Sequence, residues 1–398
     1  MDLASLRAAF PAFRDGLAFM DWAATGLLSE PARHALQEYA DGLASCATAD
    51  ATWMHGVHGT TRARVRALVA ELIGAASNDI ALVESTTAGL NAVALALPLS
   101  PGDNVVLSEI DYLAVATPWK ARAAREGFTL RWVRARDRAI EVDDVLAACD
   151  DRTRVVALSS VCWTTGALLD LERLAPELAE RDIALVLDAI QTFGVLPIDV
   201  RRTPVAAMTV GGHKWLGSLL GSGFLYVAPE IASRCAPPAV GFLSGKSARG
   251  PWWQWFEDPE ASPKDAVEFP AAGRTWETGG TASYPGAIGL ESSLSMIKGV
   301  GQKAIEAHAR ELGDRLMTGL SAAGVDVLTP RDPRRRGGMV VFQVPGGAEE
   351  QRAFAASARD ARIAISVRFS SGLGGVRVSL HGPNDSSDVD RLLSLLRG

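Results

Sequence analysis

Short apolar runs alternate with longer amphipathic stretches between residues 75 and 227. Between several of the runs, apolar positions recur at helical spacing and predict helices over Ala88–Leu97, Ala114–Glu126 and Leu171–Arg181. The runs have the length and composition of buried strands: Ile80–Val83, Asn104–Leu107, Thr129–Val133, Val155–Leu158, Ala184–Leu187, Ala207–Val210 and Gly223–Val227. Strands separated by helices are typical of βαβ units. The pattern therefore predicts an α/β fold whose large domain holds a mainly parallel seven-stranded sheet.

The pattern changes after Val227. Residues 228–275 are rich in Pro, Gly and Trp, which predicts an irregular segment. A smaller C-terminal α+β domain is then predicted from three helices and two strands: Pro285–Lys298, Gln302–Ala323, Met339–Val344, Gly375–Ser379 and Ser387–Leu396. We expect three parts: a segment over 1–15 that packs with the small domain, a large cofactor-binding domain over 16–270 and the small domain over 271–398.

Composition and charge exclude several classes of protein. The 398 residues include 40 basic and 46 acidic side chains, a formal charge of −6, and long clusters of Lys or Arg are absent. Nucleic-acid and anionic-membrane partners are therefore not expected. The start, MDLASLRAAFPAFRDGL, lacks the apolar core of a signal peptide, and no run reaches the length of a membrane span. The four widely spaced cysteines indicate neither disulfides nor a metal site, and a cytoplasmic location is expected.

The strongest chemical pattern lies between residues 184 and 227. Asp188 ends the apolar strand of ALVLDAIQ, at the edge where open α/β sheets bind ligands. Lys214 lies in GGHKWLGSLLGSG, between two buried strands, where desolvation favours the neutral amine that forms a Schiff base. Pyridoxal phosphate would use this pair, with the lysine on its aldehyde and the aspartate on its ring nitrogen. A surface lysine and a helix-capping aspartate would give the same spacing.

Other candidate ligand-binding residues follow predicted strands. Ser85, Thr86 and Thr87 stand where a strand leads into a helix, and such helix starts bind phosphate, although ordinary N-caps have the same residues. Tyr112 follows another strand, where its ring would stack on a cofactor or pack in a core. Arg368 and Arg377 are suited to a substrate carboxylate, although most arginines are simply solvated.

Together these residues resemble the class V aminotransferase group of fold-type I pyridoxal-phosphate enzymes, which includes cysteine desulfurases, kynureninase and isopenicillin-N-epimerase-like proteins. The matching motifs run nearly end to end: FMDWAATGLLS at 19–29, STTAGLN at 85–91, PGDNVVLSEIDY at 101–112, LSSVCWTTGALLDL at 158–171, LDAIQTFGVLPIDV at 187–200, GGHKWLGSLLGSGFLYV at 211–227, TWETGGT at 275–281 and VRVSLHGPND at 376–385.

The resemblance implies a role for each matching position. Lys214 corresponds to the Schiff-base lysine and Asp188 to the partner of the pyridine nitrogen. Tyr112 corresponds to the residue that stacks on the ring. Gln191 corresponds to the residue that contacts the phenolic oxygen of the cofactor, and Thr86, Thr87 and His213 correspond to its phosphate contacts. Thr281 corresponds to a residue that contacts the phosphate in the neighbouring subunit. Arg377, with Arg368 nearby, corresponds to the residue that binds the substrate carboxylate. A homodimer with shared active sites and a small amino-acid substrate follow from the resemblance.

The departures from the family pattern bear on the reaction. Cysteine desulfurases carry a catalytic cysteine shortly before the late arginine motif, where this chain reads SVRFSSGLGG with Ser370 and Ser371. Serine is too basic to accept sulfur, so ordinary desulfurase chemistry is not expected. The resemblance favours an aminotransferase or an epimerase-like enzyme acting at the α-carbon. A carbon–sulfur or kynureninase-type β-lyase is the alternative, because all three reactions share their first steps.

Two further classes of protein are weighed against the sequence, and a cluster of tryptophans has two possible roles. A non-catalytic relative that keeps the fold for binding has no reason to retain both Lys214 and Asp188. A nucleotide-binding oxidoreductase would need GxGxxG between an early strand and a helix, whereas GSLLGSG leads into a strand. The tryptophans of PWWQWF at 251–256 would suit a substrate entrance or a domain or dimer interface.

Overall fold

A computed structural model describes residues 1–46, 48–50, 53–279 and 283–396. In these ranges the α-helices are Leu3–Ala8, Pro11–Arg14, Glu30–Ser45, Trp53–Ile73, Thr86–Ala96, Leu113–Glu126, Val142–Ala148, Leu171–Glu180, Pro229–Arg234, Trp252–Glu257, Tyr284–Val300, Gln302–Ala322, Ala348–Asp360 and Ser386–Leu395. Short 3₁₀ turns span Ser77–Asp79, Phe242–Ser244, Gly273–Trp276 and Pro333–Arg335. No helix in the described ranges is long and apolar enough to cross a bilayer.

All seven strands predicted in the first part of the chain join one sheet. Across the sheet their order is Ile80–Leu82, Gly223–Val227, Ala207–Gly211, Ala184–Asp188, Thr153–Ser159, Asn104–Ser108 and Thr129–Val133. Gly223–Val227 runs antiparallel to both of its neighbours, and every other pairing is parallel. Six strands therefore end at the same edge of the sheet, which is where open α/β sheets bind ligands.

The central strands are buried because helices cover them. Every residue of Asn104–Ser108, Ala207–Gly211 and Gly223–Val227 is buried. Helix Leu171–Glu180 shows how a covering helix forms: Asp170 caps its first turn by accepting a hydrogen bond from the Arg173 N–H, at 3.1 Å. Its apolar residues recur at helical spacing and all face the sheet: Leu171, Leu174, Ala175 and Leu178.

A second, four-stranded antiparallel sheet lies in the last part of the chain. Its strands follow the order Asp326–Val327, Met339–Gln343, Leu373–Ser379 and Ser366–Ser370. This sheet has its own hydrophobic core, to which helices Gln302–Ala322 and Ser386–Leu395 contribute residues such as Leu316 and Leu392. A separate core supports the predicted α+β unit beside the large sheet.

Two segments connect the units. The N-terminal chain adds strand Ala18–Phe19 in parallel to Ile363–Ala364, and the Arg7 guanidinium pairs with Asp388 at 2.8 Å. Helix Tyr284–Val300 contributes apolar residues to the core of the large sheet. The division at residues 15 and 270 stays a prediction.

The segment after Val227 contains short pieces of regular structure. They are helices Pro229–Arg234 and Trp252–Glu257 and a two-residue strand pair, Lys246–Ser247 with Val267–Glu268. Arg249 holds this hairpin by ion pairs with Asp258 at 2.8 Å and Asp265 at 2.6 Å. Trp253, in the helix between the two short strands, is 62% exposed.

Candidate active site

A cavity of about 320 Å³ opens at the carboxyl edge of the large sheet. Five parallel strands end there, and each contributes a residue to the cavity lining. Ser159 and Asp188 are the last residues of their strands, and Thr86, Tyr112 and Lys214 follow theirs. The small sheet adds Arg368 and Arg377. The topology therefore brings together side chains that are as much as 291 residues apart in the chain.

Asp188, which is buried, and Lys214, which is partly buried, form the centre of the cavity. Burial lowers the pKa of Lys214 to about 8, and the nearby Arg377 and Arg368 add to this effect while Asp188 opposes it. Burial also raises the pKa of Asp188 to about 6, although its carboxylate accepts the Ile190 N–H at 3.0 Å and faces the charge of Lys214. Near pH 7 the lysine thus keeps an accessible neutral form, which is the nucleophilic one.

One corner of the cavity is suited to an anion. Ser85 caps helix Thr86–Ala96 by accepting the Ala88 N–H at 3.0 Å, and Ser85, Thr86 and Thr87 at the start of this helix line the cavity. The start of a helix favours a bound anion. The Thr86 hydroxyl is buried and has no hydrogen-bond partner among the described residues. Burial, with the charge of Lys214, lowers the pKa of His213 at the same corner.

Gly211 keeps this corner open. A Cβ at this position would lie 3.0 Å from the Thr86 hydroxyl oxygen and 3.2 Å from the His213 Cε1. A larger residue would therefore crowd both groups. The absence of a side chain here leaves room for a ligand at the helix start.

Two aromatic rings form another wall. Tyr112 is 40% exposed, and the Lys214 Nζ lies 5.6 Å from the centre of its ring. Trp163 meets Tyr112 edge to face, with ring centres 5.3 Å apart. Tyr112 is thus placed beside the lysine amine, where its ring can cover a planar group bound there.

The two arginines reach the cavity from adjacent strands of the small sheet. Ser366 stands opposite Arg377 in the register, so Arg368 and Arg377 share one face. Arg377 is only 2% exposed; it donates to the Trp163 carbonyl at 3.3 Å and lies 3.6 Å from Asp21. Burial lowers the pKa of Arg377 to about 10, so it keeps its charge at neutral pH. The pair can bind a carboxylate.

Gln191 lines the cavity, and both ends of its side-chain amide make a hydrogen bond within the protein. Its Nε2 donates to the Ala23 carbonyl at 3.1 Å, and its Oε1 accepts the Trp215 indole N–H at 2.9 Å. Thr281 lies outside the described residues. The tryptophans of the 252–257 helix are absent from the described lining of the cavity.

Sequence reasoning missed several residues at this site. Asp21 and Trp163 support Arg377, Ser159 lines the cavity, and the carboxylate of Asp111 is buried behind it, accepting the Ser159 N–H at 3.1 Å. Asp21 and Trp163 lie in the motifs FMDWAATGLLS and VCWTTG, so their position in these motifs was the available signal. Among the described residues, no three His, Cys, Asp or Glu side chains cluster as a metal site would require.

Comparison with known proteins places the chain in a family. The family model described as Aminotransferase class-V matches residues 18–392. The chain is 29% identical to an isopenicillin N epimerase of Streptomyces clavuligerus, over 84% of this chain and 83% of that protein. It is also 29% identical to a probable cysteine desulfurase 2 of Mycobacterium leprae, over 87% of this chain and 82% of that protein.

Solved structures agree on the fold. The chain superposes with a TM-score of 0.86, at 22% identity and over 98% of each chain, on a lysine-to-alanine mutant of C-DES with glycine covalently linked to the PLP cofactor. Cysteine desulfurase CsdA from Escherichia coli gives a TM-score of 0.84 at 23% identity, over 100% of this chain and 98% of that one. These matches confirm the predicted α/β fold of type I. The family model covers most of the chain, and the protein therefore belongs to the class V aminotransferases.

Proposed function

We propose that this protein is a pyridoxal-phosphate-dependent enzyme that acts at the α-carbon of an amino acid, as a class V aminotransferase or an isopenicillin-N-epimerase-like enzyme. The observation that carries the proposal is that the partly buried Lys214 and the buried Asp188 share a cavity with a helix N-terminus and two arginines. A surface lysine and a capping aspartate, the alternative for this spacing, would not share a buried cavity.

The residues present fit the cofactor. The phosphate would be suited by the Thr86 hydroxyl, which has no partner within the described part of the chain, and by the helix start beside Thr87. Gly211 leaves this corner open, and His213 lies next to it. Asp188 suits the ring nitrogen, and Tyr112 is placed to stack on the ring. When bound, pyridoxal phosphate supplies an aldehyde that condenses with amines and a ring that withdraws electrons from the substrate's α-carbon.

In this proposal each side chain has a distinct task. Lys214 would hold the cofactor through its amine, and the same amine would serve as the acid–base group at the α-carbon of the substrate. Asp188 would pair with the ring nitrogen and favour its positive charge. Arg377 binds the α-carboxylate, with Arg368 beside it, and so orients the bond that breaks. Trp163 supports this orientation by accepting a hydrogen bond from Arg377 through its carbonyl.

The reaction type rests on a specific difference from the desulfurases. Ser370 and Ser371 stand in the tight hairpin that joins strands Ser366–Ser370 and Leu373–Ser379. The Ser371 hydroxyl donates to the Glu109 carbonyl at 2.8 Å. This chain therefore has a short hairpin with two serines where the desulfurases have a loop with the catalytic cysteine. The difference disfavours desulfurase chemistry and supports transamination or epimerisation. A carbon–sulfur or kynureninase-type β-lyase is the second candidate, because β-elimination needs no such thiol.

The first experiment follows the visible absorption of the purified protein while amino acids are added without a keto acid. An aminotransferase loses the cofactor band, releases one equivalent of keto acid and recovers the band when a keto acid is supplied. An epimerase keeps the band and exchanges the α-proton with deuterated water. A lyase keeps the band and releases many equivalents of product. No band after pyridoxal phosphate is added would overturn the proposal.

Lys214→Ala tests the site assignment. Borohydride should fix the cofactor covalently to the wild-type chain and no longer to the variant, because the amine that binds the aldehyde is lost. We expect activity to fall by about 10²-fold or more, the usual effect of removing a general acid–base group. Lys303→Ala, on an exposed helix position, is the matched control. Cofactor fixed to the Lys214→Ala chain would show that another lysine holds it.

We also propose a cytoplasmic homodimer in which Thr281 of each subunit contacts the phosphate of the other. The TWETGGT motif and the free state of all four cysteines support this proposal. Inactive Lys214→Ala and Thr281→Ala variants should regain activity when they are unfolded and refolded together, because one site of a mixed dimer is then intact. No recovery in a protein that sediments as a dimer would contradict shared sites.

A further inference from the structure

Trp215 directly follows Lys214 and lies behind the cavity wall. Its side chain is 2% exposed and meets His381 edge to face, with ring centres 5.7 Å apart. Its indole N–H donates to the Gln191 Oε1 at 2.9 Å. Because the ring is enclosed, the direction of this hydrogen bond is set by packing.

Two unambiguous partners determine the orientation of the Gln191 amide. An indole N–H only donates, and a backbone carbonyl only accepts. Trp215 therefore requires the amide oxygen on its side, and the Ala23 carbonyl, 3.1 Å from Nε2, requires the amide nitrogen on the other. A flipped amide would face a donor with a donor and an acceptor with an acceptor.

The network leaves one N–H of the Gln191 amide unused, besides the second lone pair of the amide oxygen. One N–H of Nε2 is taken by Ala23, and the other N–H remains on a side chain that lines the cavity and is 4% exposed. A ligand atom that faces this N–H meets a donor and must be an acceptor. In pyridoxal phosphate the ionised phenolic oxygen is such an acceptor.

We propose that Trp215 is a positioning residue that holds the Gln191 amide with its free N–H toward the phenolic oxygen of the cofactor. This inference rests on the proposed function. A hydrogen bond to that oxygen draws off negative charge, and so lowers the proton affinity of the nearby nitrogen that Lys214 contributes. Without Trp215 the amide can rotate, and the donor is no longer held in place.

The test is a pH titration of the visible band of the holoenzyme. In Trp215→Phe the midpoint should rise by about one pH unit, the size expected when one charge-assisted hydrogen bond is lost. Gln191→Leu should raise it by a similar amount. Trp119→Phe is the matched control, since Trp119 is fully buried, lies outside the cavity lining and has no partner for its indole N–H among the described residues.

A double variant separates positioning from general damage. If Trp215 acts through Gln191, Trp215→Phe should cause no further shift when Gln191 is already leucine. An equal shift in both backgrounds would overturn the inference, as would an unchanged midpoint in Trp215→Phe. A wild-type protein without any cofactor band would instead refute the proposed function, so the two failures are distinguishable.

A measurement on the wild-type holoenzyme covers the case in which Trp215→Phe does not fold. The indole N–H of Trp215, observed by ¹⁵N labelling, should change its resonance with the same pH midpoint as the visible band, because the amide links the two groups. A resonance that stays constant through the transition would overturn the inference.

Discussion

At the scale of single residues, burial rather than ion pairing determines the pKa values of two acids at the cavity, Asp188 and Asp111. Burial raises the pKa of Asp188 to about 6 even though Lys214 is close by. It raises the pKa of Asp111 to about 7, and the nearby Asp188 adds to this effect. One oxygen of Asp111 accepts the Ser159 N–H, and the other has no partner among the described residues. Charging such a group inside the protein is costly.

Asp111 therefore makes the stability of the cofactor-free protein depend on pH. Its pKa is 3.8 in the unfolded chain and about 7 in the fold, so the folded state holds a proton that the unfolded state releases. The free energy of unfolding should fall as pH rises from about 4 to about 7, at about 1.4 kcal/mol per unit of pKa difference. Asp111→Asn should remove this contribution and leave that of Asp188, since an amide oxygen can still accept the Ser159 N–H.

Urea unfolding at pH 5 and pH 8 measures the effect. Asp182→Asn is the control, because the Asp182 side chain is 86% exposed and should leave the pH dependence unchanged. Equal pH dependence in wild type and Asp111→Asn would mean that Asp111 is charged in the fold.

Arg377 is the residue on which substrate binding should depend most. Arg377→Ala removes a charged donor from the cavity, and we expect KM for an amino acid to rise by about 10–100-fold, the range given by the loss of charge-assisted hydrogen bonds. Cofactor binding should be intact, because the phosphate corner lies on the other sheet. Steady-state kinetics and the visible band together check this.

The control is Arg334→Ala, whose side chain is 89% exposed. Loss of the cofactor in Arg377→Ala would give the arginine a structural role. The half-buried Asp21 also loses its ion-pair partner in this variant, so near-ultraviolet circular dichroism should accompany the kinetics.

At the scale of elements, the phosphate corner depends on how closely helix Thr86–Ala96 approaches strand Ala207–Gly211. Gly89 faces Thr209 of that strand, and a Cβ on Gly89 would lie 2.3 Å from the Thr209 hydroxyl oxygen. The same hydroxyl donates to the Thr86 carbonyl at 3.3 Å. The glycine thus allows the helix start to reach its position at the end of the strand.

Gly89→Ala should move this helix away from the sheet. We expect a loss of about 1–3 kcal/mol in the free energy of unfolding, the cost of overpacking a core contact. Affinity for inorganic phosphate or pyridoxal phosphate should fall as well. Gly59→Ala is the matched control: this exposed helical glycine has open space around it, so alanine should stabilise by about 1 kcal/mol. Equal changes in unfolding free energy and in phosphate affinity in the two variants would show that the close approach of the helix to the strand is unimportant.

At the scale of the whole molecule, a buried ion network connects distant parts of the chain. Glu277 pairs with Arg62 and with Arg66, the latter at 3.0 Å, and accepts the Leu82 N–H at 3.0 Å. Helix Trp53–Ile73, the first strand of the large sheet and the turn before the GGT motif therefore meet at one carboxylate.

Glu277→Ala leaves two buried guanidinium groups without their shared partner. We expect the free energy of unfolding to fall by about 3–5 kcal/mol, as for other broken buried ion pairs. The exposed pair of Arg64 and Glu291 supplies the control, and Glu291→Ala should cost about 1 kcal/mol or less. Denaturant unfolding checks both, and a small loss in Glu277→Ala would mean that solvent reaches the arginines.

The same helix shows why part of the fold escaped prediction. The buried face of Trp53–Ile73 includes His58, Thr61, Arg62 and Arg66 as well as valines. Polar residues on a buried face break the apolar period from which helices are predicted. The partner that makes their burial tolerable, Glu277, is 211 residues away from Arg66. Local sequence cannot reveal such a pairing.

The sequence by itself determined the α/β class, the seven strands of the large sheet and the motifs of the family, because hydrophobic period and glycine positions are local properties. It also singled out ten of the residues that line the cavity, by their place at strand ends or in motifs: Ser85, Thr86, Thr87, Tyr112, Asp188, Gln191, His213, Lys214, Arg368 and Arg377. Only the tertiary structure decided which of them meet. Strand order brings five strand ends and two arginines together, and burial then changes the pKa values of Asp188 and Lys214. Desolvation depends on everything that surrounds a group, and a linear pattern does not contain it.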